Sequence, residues 1–234
     1  MLAKVDVPWI HKEKASTSHE GALYAALECI GSGDPALAQR LHDDKGLQPF
    51  SARLADGVLS IGALNRDVFL ALNRSKLAHR AEMREAVTFD DLLAWAAERP
   101  LTMRLEFVTP TSFGRHGETH VLPELPQVFG SLVRRWRMVG GPEAPTLFDP
   151  TRVSDGPIVM SLNLRTQKVQ LGRYPVYGVT GYLLLRLPPE TAVWFNALAK
   201  FGEYSGVGQR TTQGFGQVRV DPPQEAHNGR NGHH

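Results

Sequence analysis

Hydrophobic residues along this chain switch between strand spacing and helix spacing, and that switching is what most restricts the fold. Leu2 to Ile10 alternates as a strand, whereas Ala22 to Ile30 carries apolar residues at helical spacing. Two further strand-like runs, Pro49 to Leu54 and Val58 to Ala63, are joined by Ala55-Asp56-Gly57. Because Asp-Gly between alternating runs favours a two-residue turn, the pattern predicts a β-hairpin after the first strand and helix.

The remainder of the first half completes a recognisable order. Thr17-Ser-His-Glu20 has capping-box spacing at the start of the first helix, which we expect Gly31-Ser-Gly33 to end. Asp34-Pro35 starts a shorter helix, with aspartate as cap and proline in the first turn. The pattern then predicts a helix over Asn65 to Asn73 and a polar edge strand over Ser75 to Met83. The resulting order, β-α-β-β-α-β, is the ferredoxin-like pattern.

The second half repeats that order after a connecting helix from Thr88 to Glu98. It predicts strands at Leu101–Val108, Ile158–Leu164, Lys168–Arg173, Val179–Leu187 and Phe215–Val220, and helices at Pro123–Val139 and Pro189–Phe201. We therefore predict an α+β fold of two tandem ferredoxin-like (RRM-like) domains, residues 1–98 and 99–220. The polar tail at 221–234 is predicted to be disordered, because it has too little apolar surface to bury.

Composition excludes several classes of protein. Cys29 is the only cysteine among 234 residues, which excludes an intramolecular disulfide and a multi-cysteine zinc site. No apolar run approaches the ~20 residues of a membrane span, and nothing resembles a signal peptide. We expect a reducing, cytoplasmic location and no membrane association. Since the formal net charge is only +2, any surface that binds nucleic acid must be a local basic patch.

The most informative stretch lies between the last predicted helix and the last predicted strand. Tyr204 to Gly216 contains four glycines within eleven residues, and glycine permits positive φ and close approach of another molecule. Successive exposed amides make an anion-binding concavity, so we predict that this loop binds phosphate. A dinucleotide fingerprint fits poorly, because the third glycine comes too late and a strand follows. The predicted phosphate-binding residues are Gly206, Gly208, Arg210, Thr211, Gly214 and Gly216.

This stretch closely resembles the C-terminal glycine-rich loop of the CRISPR precursor-RNA processing endoribonucleases, members of the RAMP superfamily. Leu105 to Phe113, Pro123 to Trp136 and His42 to Ser51 resemble three further segments of that family, each in its expected place. The resemblance implies two ferredoxin-like units, in agreement with the pattern above. It also implies that CRISPR repeat RNA (pre-crRNA) is cut to crRNA by attack of a ribose 2′-hydroxyl on the adjacent phosphate. The products would be a 2′,3′-cyclic phosphate and a 5′-hydroxyl, formed without a metal.

Four residues are candidates for that chemistry. His42 opens one matched segment, so the resemblance assigns it the family's active-site histidine, and histidine suits proton transfer near neutral pH. Lys45 is a candidate for stabilising charge on the phosphate, and His19 for a second histidine. Tyr24 could orient the 2′-oxygen. The alternatives are a surface histidine at a helix end, a solvated loop lysine and, for Tyr24, a core tyrosine.

Basic side chains outside the loop are candidates for RNA binding. Arg134 and Arg135 lie on a predicted helix, where a solvated helix face is the alternative interpretation. Arg165, Lys168 and Arg173 belong to the predicted hairpin and could follow an RNA backbone or enter a groove. We expect no cofactor. His116 and His120 are four residues apart, but Gly117 argues against the helix that a two-histidine metal site needs, so no metal is predicted.

Two other functions remain open from the sequence. One is a catalytically inactive RAMP-type subunit of a CRISPR effector complex that binds crRNA with the same fold. The other is a ferredoxin-like module that binds free nucleotides. The expected partners are repeat RNA and crRNA, with effector-complex subunits and a second copy of the chain as further candidates.

Overall fold

The computed structural model describes residues 1–9, 19–115, 118–145, 148–149 and 156–221, except the side chains of His19, Glu20, Arg84 and Arg115. The strands are β1 (Leu2–Pro8), β2 (Phe50–Ala55), β3 (Val58–Ala63), β4 (Glu82–Val87), β5 (Thr102–Thr111), β6 (Phe113–Arg115), β7 (Glu118–His120), β8 (Ile158–Leu171), β9 (Tyr174–Arg186) and β10 (Val218–Asp221). The helices are α1 (His19–Gly33), α2 (Pro35–Asp43), α3 (Arg66–Arg74), α4 (Phe89–Ala97), α5 (Leu125–Met138) and α6 (Ala192–Ser205). Two 3₁₀ turns lie at Ala78–Arg80 and Thr211–Gln213.

The first half forms one antiparallel sheet with the strand order β2-β3-β1-β4. Asp56 and Gly57 both have positive φ, 51° and 74°, as a type I′ turn requires, so the predicted hairpin is confirmed. Alternate residues of β1 point to the helices, because Ala3, Val5 and Val7 belong to the core formed with α1, α2 and α3. The sheet therefore has one covered face and one open face.

The second half repeats this topology with the strand order β10-β5-β9-β8. Helices α5 and α6 cover one face, where Phe129 and Phe195 meet edge to face with ring centroids 4.8 Å apart. Together the two sheets confirm the predicted α+β fold of tandem ferredoxin-like units. A short hairpin, β6–β7, follows β5 and projects from this sheet.

Helix α6 joins the two halves. Its last turn packs on the open face of the first sheet, where the Ser51 hydroxyl donates to the Tyr204 carbonyl at 2.6 Å. At Gly62 an added Cβ would lie only 2.0 Å from that same carbonyl oxygen. Lys4 of β1 pairs with Glu203 of α6 at 3.3 Å. The core of the second half also takes in Leu2, so the boundary at 98/99 stays a prediction.

Helix α1 ends at Gly33, as predicted. Two other local predictions are wrong. The Ser75–Met83 edge strand is replaced by the first 3₁₀ turn followed by β4, because the Ser75 hydroxyl accepts from the Leu77 amide and favours a turn. The two short strands from 158 to 173 are one long strand, β8, since the chain reverses only at Gly172, with φ of 55°. Thr17 of the capping box and the tail beyond residue 221 lie outside the described residues.

No helix in the described part of the chain combines the length and the hydropathy that crossing a bilayer requires.

Candidate functional site

A cleft of about 610 Å³ opens between the two halves. We call it the basic cleft, because none of the described residues that line it is acidic, whereas four are basic. The four basic residues are Lys45, Arg134, Arg135 and Arg210. The remaining lining residues are Gly46, Leu47, Gln48, Phe113, Gly114, Gln127, Ser131, Gly208, Gln209, Thr211 and Thr212. A chain of small net charge therefore presents one concave surface suited to a polyanion.

The glycine loop, residues 206–216, forms one wall of the cleft in a way that differs from the prediction. Gly206, Gly208 and Gly216 have positive φ, and an added Cβ would lie within 2.7 Å of a neighbouring atom at each. Their amides donate within the protein, to Gly202 O at 2.8 Å, Ser131 Oγ at 3.1 Å and Pro110 O at 3.0 Å, respectively. The prediction that these glycine amides form an exposed phosphate cradle is therefore wrong, because they hold the loop against its own protein.

The part of the loop that lines the cleft runs from Gly208 to Thr212 and includes the turn at residues 210–212. Arg210 adopts a left-handed conformation, with φ of 56°, which is uncommon for a residue other than glycine and is found disproportionately at functional sites. Among the described hydrogen bonds, none uses the amides of Arg210, Thr211 or Thr212 as donors. The Thr211 side chain is buried against Gly206, so its main contribution is to support the turn. Gly214 also has positive φ but does not line the cleft.

Helix α5 lines the cleft beside the glycine loop and holds that loop at Gly208. Ser131 accepts the Gly208 amide at 3.1 Å, and Arg135 Nη2 donates to the Gly208 carbonyl at 3.4 Å. Gln127, Ser131, Arg134 and Arg135 recur at spacings of three and four, so they share one helix face. Arg134 and Arg135 reach the cleft because they lie on the side of α5 that faces it.

Arg135 is the most unusual of these side chains. Only 4% of its surface is exposed, and its Nε and Nη1 atoms have no hydrogen-bond partner among the described residues. Burial, with a smaller contribution from the charge of Arg134, lowers the pKa of the Arg135 guanidinium to about 10. The group stays protonated at neutral pH, so it is a buried cation beside an acid-free surface.

The first half contributes the loop that follows α2. Lys45 lines the cleft, and its ammonium group donates to the carbonyl of His42 at 3.3 Å. The Asp44 carboxylate accepts the Gly46 amide at 2.7 Å, and the Asp44 carbonyl accepts the Gln48 side chain at 2.8 Å, which fixes the loop locally. His42 lies in the last turn of α2 with an exposed side chain, and it is not among the residues that line the cleft.

The two candidates on α1 have different outcomes. Tyr24 is 66% exposed, so the alternative of a core tyrosine is wrong. Helix α1 contacts the 3₁₀ turn at Thr211–Gln213, which brings the helix of Tyr24 close to the glycine loop. His19 is the first residue of α1, and its side chain lies outside what the structure describes.

The basic residues of the long hairpin lie apart from the cleft. Arg165 and Lys168 are exposed on β8, and Arg173 is in its turn. None of the three lines the cleft. The hairpin nevertheless supports the site, because Val169 and Val176 pack on Phe215 at the base of the glycine loop.

Comparison with known proteins finds similar proteins of one kind. Residues 105–218 match the family model of the CRISPR-associated endoribonuclease Cas6. A Cas6 endoribonuclease of Mycobacterium tuberculosis is 33% identical over 133 residues, which cover 53% of this chain and 41% of the relative. The chain is similar to the Cas6 endoribonucleases over these residues. The match thus spans less than half the length of that curated relative.

Solved Cas6 structures have the same fold as this chain over most of its length. A Cas6 product complex superposes with a TM-score of 0.77 at 23% identity, covering 94% of this chain and 99% of the other. Thermus thermophilus Cas6 gives a TM-score of 0.73 at 22% identity and covers 94% and 98% of the two chains. The resemblance predicted from the glycine loop is confirmed by the match to the family model.

Five residues of the cleft were missed by reasoning from the sequence, and four of them are polar and uncharged. Half of the ten buried side-chain atoms without a described partner belong to residues that line the cleft, and two of those five atoms are in Arg135. Such atoms are rare in native proteins, and each calls for an explanation such as a bound water, ion or functional role. A sequence signal existed for Ser131 and Gln127, since both precede Arg135 by whole helical turns. The missed residues are Gln48, Phe113, Gln127, Ser131 and Gln209.

Proposed function

We propose that this chain is an endoribonuclease that cuts CRISPR repeat RNA at a defined position, converting pre-crRNA to crRNA. The observation that carries the proposal is the basic cleft, where Lys45 of the first half faces Arg134 and Arg210 of the second. Phosphates supply most of the affinity in RNA binding, and an acid-free cleft with four cations suits a folded RNA backbone. Similarity to the Cas6 endoribonucleases over residues 105–218 supports the same substrate.

The proposed reaction is an internal transesterification that needs no metal. The 2′-oxygen attacks the adjacent phosphorus, the bond to the 5′-oxygen breaks, and a 2′,3′-cyclic phosphate and a 5′-hydroxyl result. A base must take the 2′-hydroxyl proton and an acid must protonate the leaving 5′-oxygen, which are tasks suited to an imidazole. His42 is the candidate for proton transfer.

Charge develops on the phosphate oxygens during that attack, and nearby cations stabilise it. Lys45 is the candidate on the first half, because its ammonium group already lies against the backbone of His42. Arg210 is the candidate on the second half, since it lines the cleft from a turn whose conformation is fixed by Gly208 and Gly216. The exposed hydroxyl of Tyr24 is a further candidate for contact with the ribose.

The decisive experiment is cleavage of a labelled repeat RNA in the presence of EDTA. Wild type should give a product ending in a 2′,3′-cyclic phosphate, and His42→Ala should lower the cleavage rate by a factor of about 10²–10⁴, typical of acid–base catalysis. His79→Ala is the matched control, because His79 is also exposed but lies in the 3₁₀ turn Ala78–Arg80, outside the segment His42 to Ser51 that the resemblance assigns to the active site. Loss of cutting in EDTA contradicts the metal-free mechanism, and full activity of His42→Ala removes His42 from it.

One observation favours a second function. No histidine is among the described residues that line the basic cleft, so the same surface would also suit a subunit of a CRISPR effector complex that binds crRNA without cutting it. That function predicts tight binding of repeat RNA with no product under any condition. A gel-shift titration run beside the cleavage assay separates the two functions.

A second copy of the chain is a further partner that we propose. Ile158, Met160 and Leu162 on the edge strand β8 are each more than half exposed, as a pairing surface requires. Sedimentation velocity of the protein without RNA, over a tenfold range of concentration, tests this. A single monomer peak throughout contradicts it.

A further inference from the structure

The feature that the proposed reaction does not use is the buried guanidinium of Arg135. Its Nη2 group donates to Gly208 O at 3.4 Å, while Nε and Nη1 have no described partner. A buried charge is strongly destabilising unless it is paired, and buried arginines are normally paired with carboxylates. None of the described carboxylates forms an ion pair with Arg135, and the nearest charge that affects it is Arg134, of the same sign.

We propose that Arg135 is a phosphate subsite, whose guanidinium binds non-bridging oxygens of one RNA phosphate in the basic cleft. The choice of RNA as the ligand rests on the proposed function. The binding of an anion by the guanidinium does not depend on it. Arginine presents its N–H groups in a planar fork that matches two phosphate oxygens. Because Arg135 is already fixed by burial and by Gly208, little side-chain entropy is lost when the anion binds.

The subsite is linked to the glycine loop through a single peptide unit. Arg135 holds the Gly208 carbonyl, and Ser131, one helical turn earlier, holds the amide of the same residue. Arg210 follows two residues later and lines the same cleft. A phosphate bound at Arg135 is therefore held at a fixed place relative to Arg210, so the subsite would set which phosphate of the RNA lies in the cleft.

A purely structural role makes a different prediction for stability. If the guanidinium served only to hold the loop, Arg135→Met should lower the unfolding temperature, since the Gly208 carbonyl loses its partner. If it serves a ligand, the apolar replacement removes an uncompensated buried charge, and the ligand-free protein should unfold at the same or a higher temperature. The variant thus separates the two roles before any RNA is added.

The test uses inorganic pyrophosphate as the probe, at constant ionic strength and without metal. The unfolding temperature of wild type should rise with pyrophosphate concentration, because a ligand that binds only the folded state stabilises it. That of Arg135→Met should not rise. Arg137→Met is the control, since Arg137 is exposed on the same helix, outside the cleft, and it should respond as wild type does. An equal response of Arg135→Met overturns the proposal, as does a lower unfolding temperature of that variant without pyrophosphate.

A second variant covers the case in which Arg135→Met does not fold. Arg135→Lys keeps the charge and loses the fork, so it should bind repeat RNA about 10- to 100-fold more weakly than Arg137→Met, measured by fluorescence anisotropy in EDTA. Equal affinity overturns the proposal. Failure of the proposed function has another signature, because a chain that cuts no RNA would still show the Arg135-dependent response to pyrophosphate.

Discussion

Among the clefts between the two halves in the described part of the chain, two differ clearly in how their charges are arranged. The basic cleft carries four cationic side chains and no acidic one among its described lining. A second cleft, which we call the ion-paired groove, lies between the open faces of the sheets and is lined by Lys4, Arg53, Lys200 and Arg219 together with Asp6, Glu203 and Asp221. The two clefts thus have equal numbers of cationic side chains. Most of those in the groove are paired with carboxylates, whereas the basic cleft has no carboxylate among its described lining residues.

One ion pair of the groove, Lys4–Glu203, joins the two halves, and the other pairs described there lie within the second half. Glu203 lies between Lys4 at 3.3 Å and Lys200 at 2.9 Å and also accepts the Val220 amide at 2.8 Å. Arg219 similarly donates to Glu106 at 2.6 Å and to Asp221 at 3.0 Å. Cations that are already paired with carboxylates bind a phosphate only weakly. We therefore expect affinity for RNA to depend on which cations lack a neighbouring carboxylate. The number of arginines and lysines alone does not show where RNA binds.

The largest expected difference comes from reversing one charge in each cleft. Arg134→Glu should weaken repeat-RNA binding about 100-fold and lower the salt dependence by about one to two phosphate contacts. Arg219→Glu should leave the affinity unchanged, because Arg219 is paired with Glu106 and Asp221 in the free protein. Titrations at several salt concentrations measure both. Equal losses would mean that RNA senses the overall charge and not the cleft.

The next effect concerns the wall of the basic cleft. Gly208→Ala should lower the free energy of unfolding by about 3 kcal/mol or more, because φ is +77° and the new Cβ would lie 2.3 Å from Ser112 O. Gly140→Ala is a matched control with the same φ of +77° and nothing within 4 Å. It should cost only the backbone strain, about 1–2 kcal/mol. Urea denaturation compares the two, and equal costs would contradict a tightly packed loop.

A smaller, pH-dependent effect is expected in the groove. Burial alone would raise the pKa of Glu203, but Lys4, the Val220 amide and Lys200 outweigh it and lower that pKa. A lowered folded-state pKa means that the ionised group stabilises the fold above the ordinary glutamate pKa of ~4.3 and loses that contribution as pH falls through the lowered value. Glu203→Gln should therefore cost about 1–3 kcal/mol at pH 7, with the difference from wild type shrinking below about pH 4. A cost that is constant from pH 7 to pH 3 contradicts this.

Much of the fold was predictable because its signals are local. The Asp56-Gly57 turn is encoded by the two residues that need positive φ, and the alternation of β1 shows which residues face the helices. The long strand β8 was divided wrongly because a polar Arg-Thr-Gln run resembles a turn, although cross-strand pairing keeps it extended. The pairing of β8 with β9 cannot be recognised from the local sequence of that run.

The site was less predictable, because its geometry depends on contacts far apart in the chain. Gly216 bonds to Pro110 and Gln209 to Ser112, which no local pattern reveals, so glycines that pack against the protein were taken for a phosphate cradle. Arg134 and Arg135 are neighbours in sequence but differ completely in burial. Helical spacing could have shown this, since Arg135 follows the core residue Leu132 by three positions.

The smallest expected effects come from removing one buried serine hydroxyl at each cleft. Because the two changes are chemically identical, they give the closest comparison of the basic cleft with the groove. Ser131 accepts the Gly208 amide at the basic cleft, and Ser51 donates to the Tyr204 carbonyl at the groove; both are buried. Each change to alanine leaves a buried backbone group unpaired and should cost about 1–2 kcal/mol of unfolding free energy. Their effects on RNA should differ, because only Ser131 fixes the peptide that positions Arg210.

Ser131→Ala should therefore raise the Kd for repeat RNA by a factor of about 3–10, equivalent to part of one hydrogen bond, whereas Ser51→Ala should leave it unchanged. Anisotropy titrations below the unfolding range of both variants give the comparison at equal stability. If both variants weaken RNA binding alike, the contact between Ser51 and α6 affects the RNA affinity of the basic cleft as much as the glycine loop does. The two halves would then respond to either change as one rigid unit.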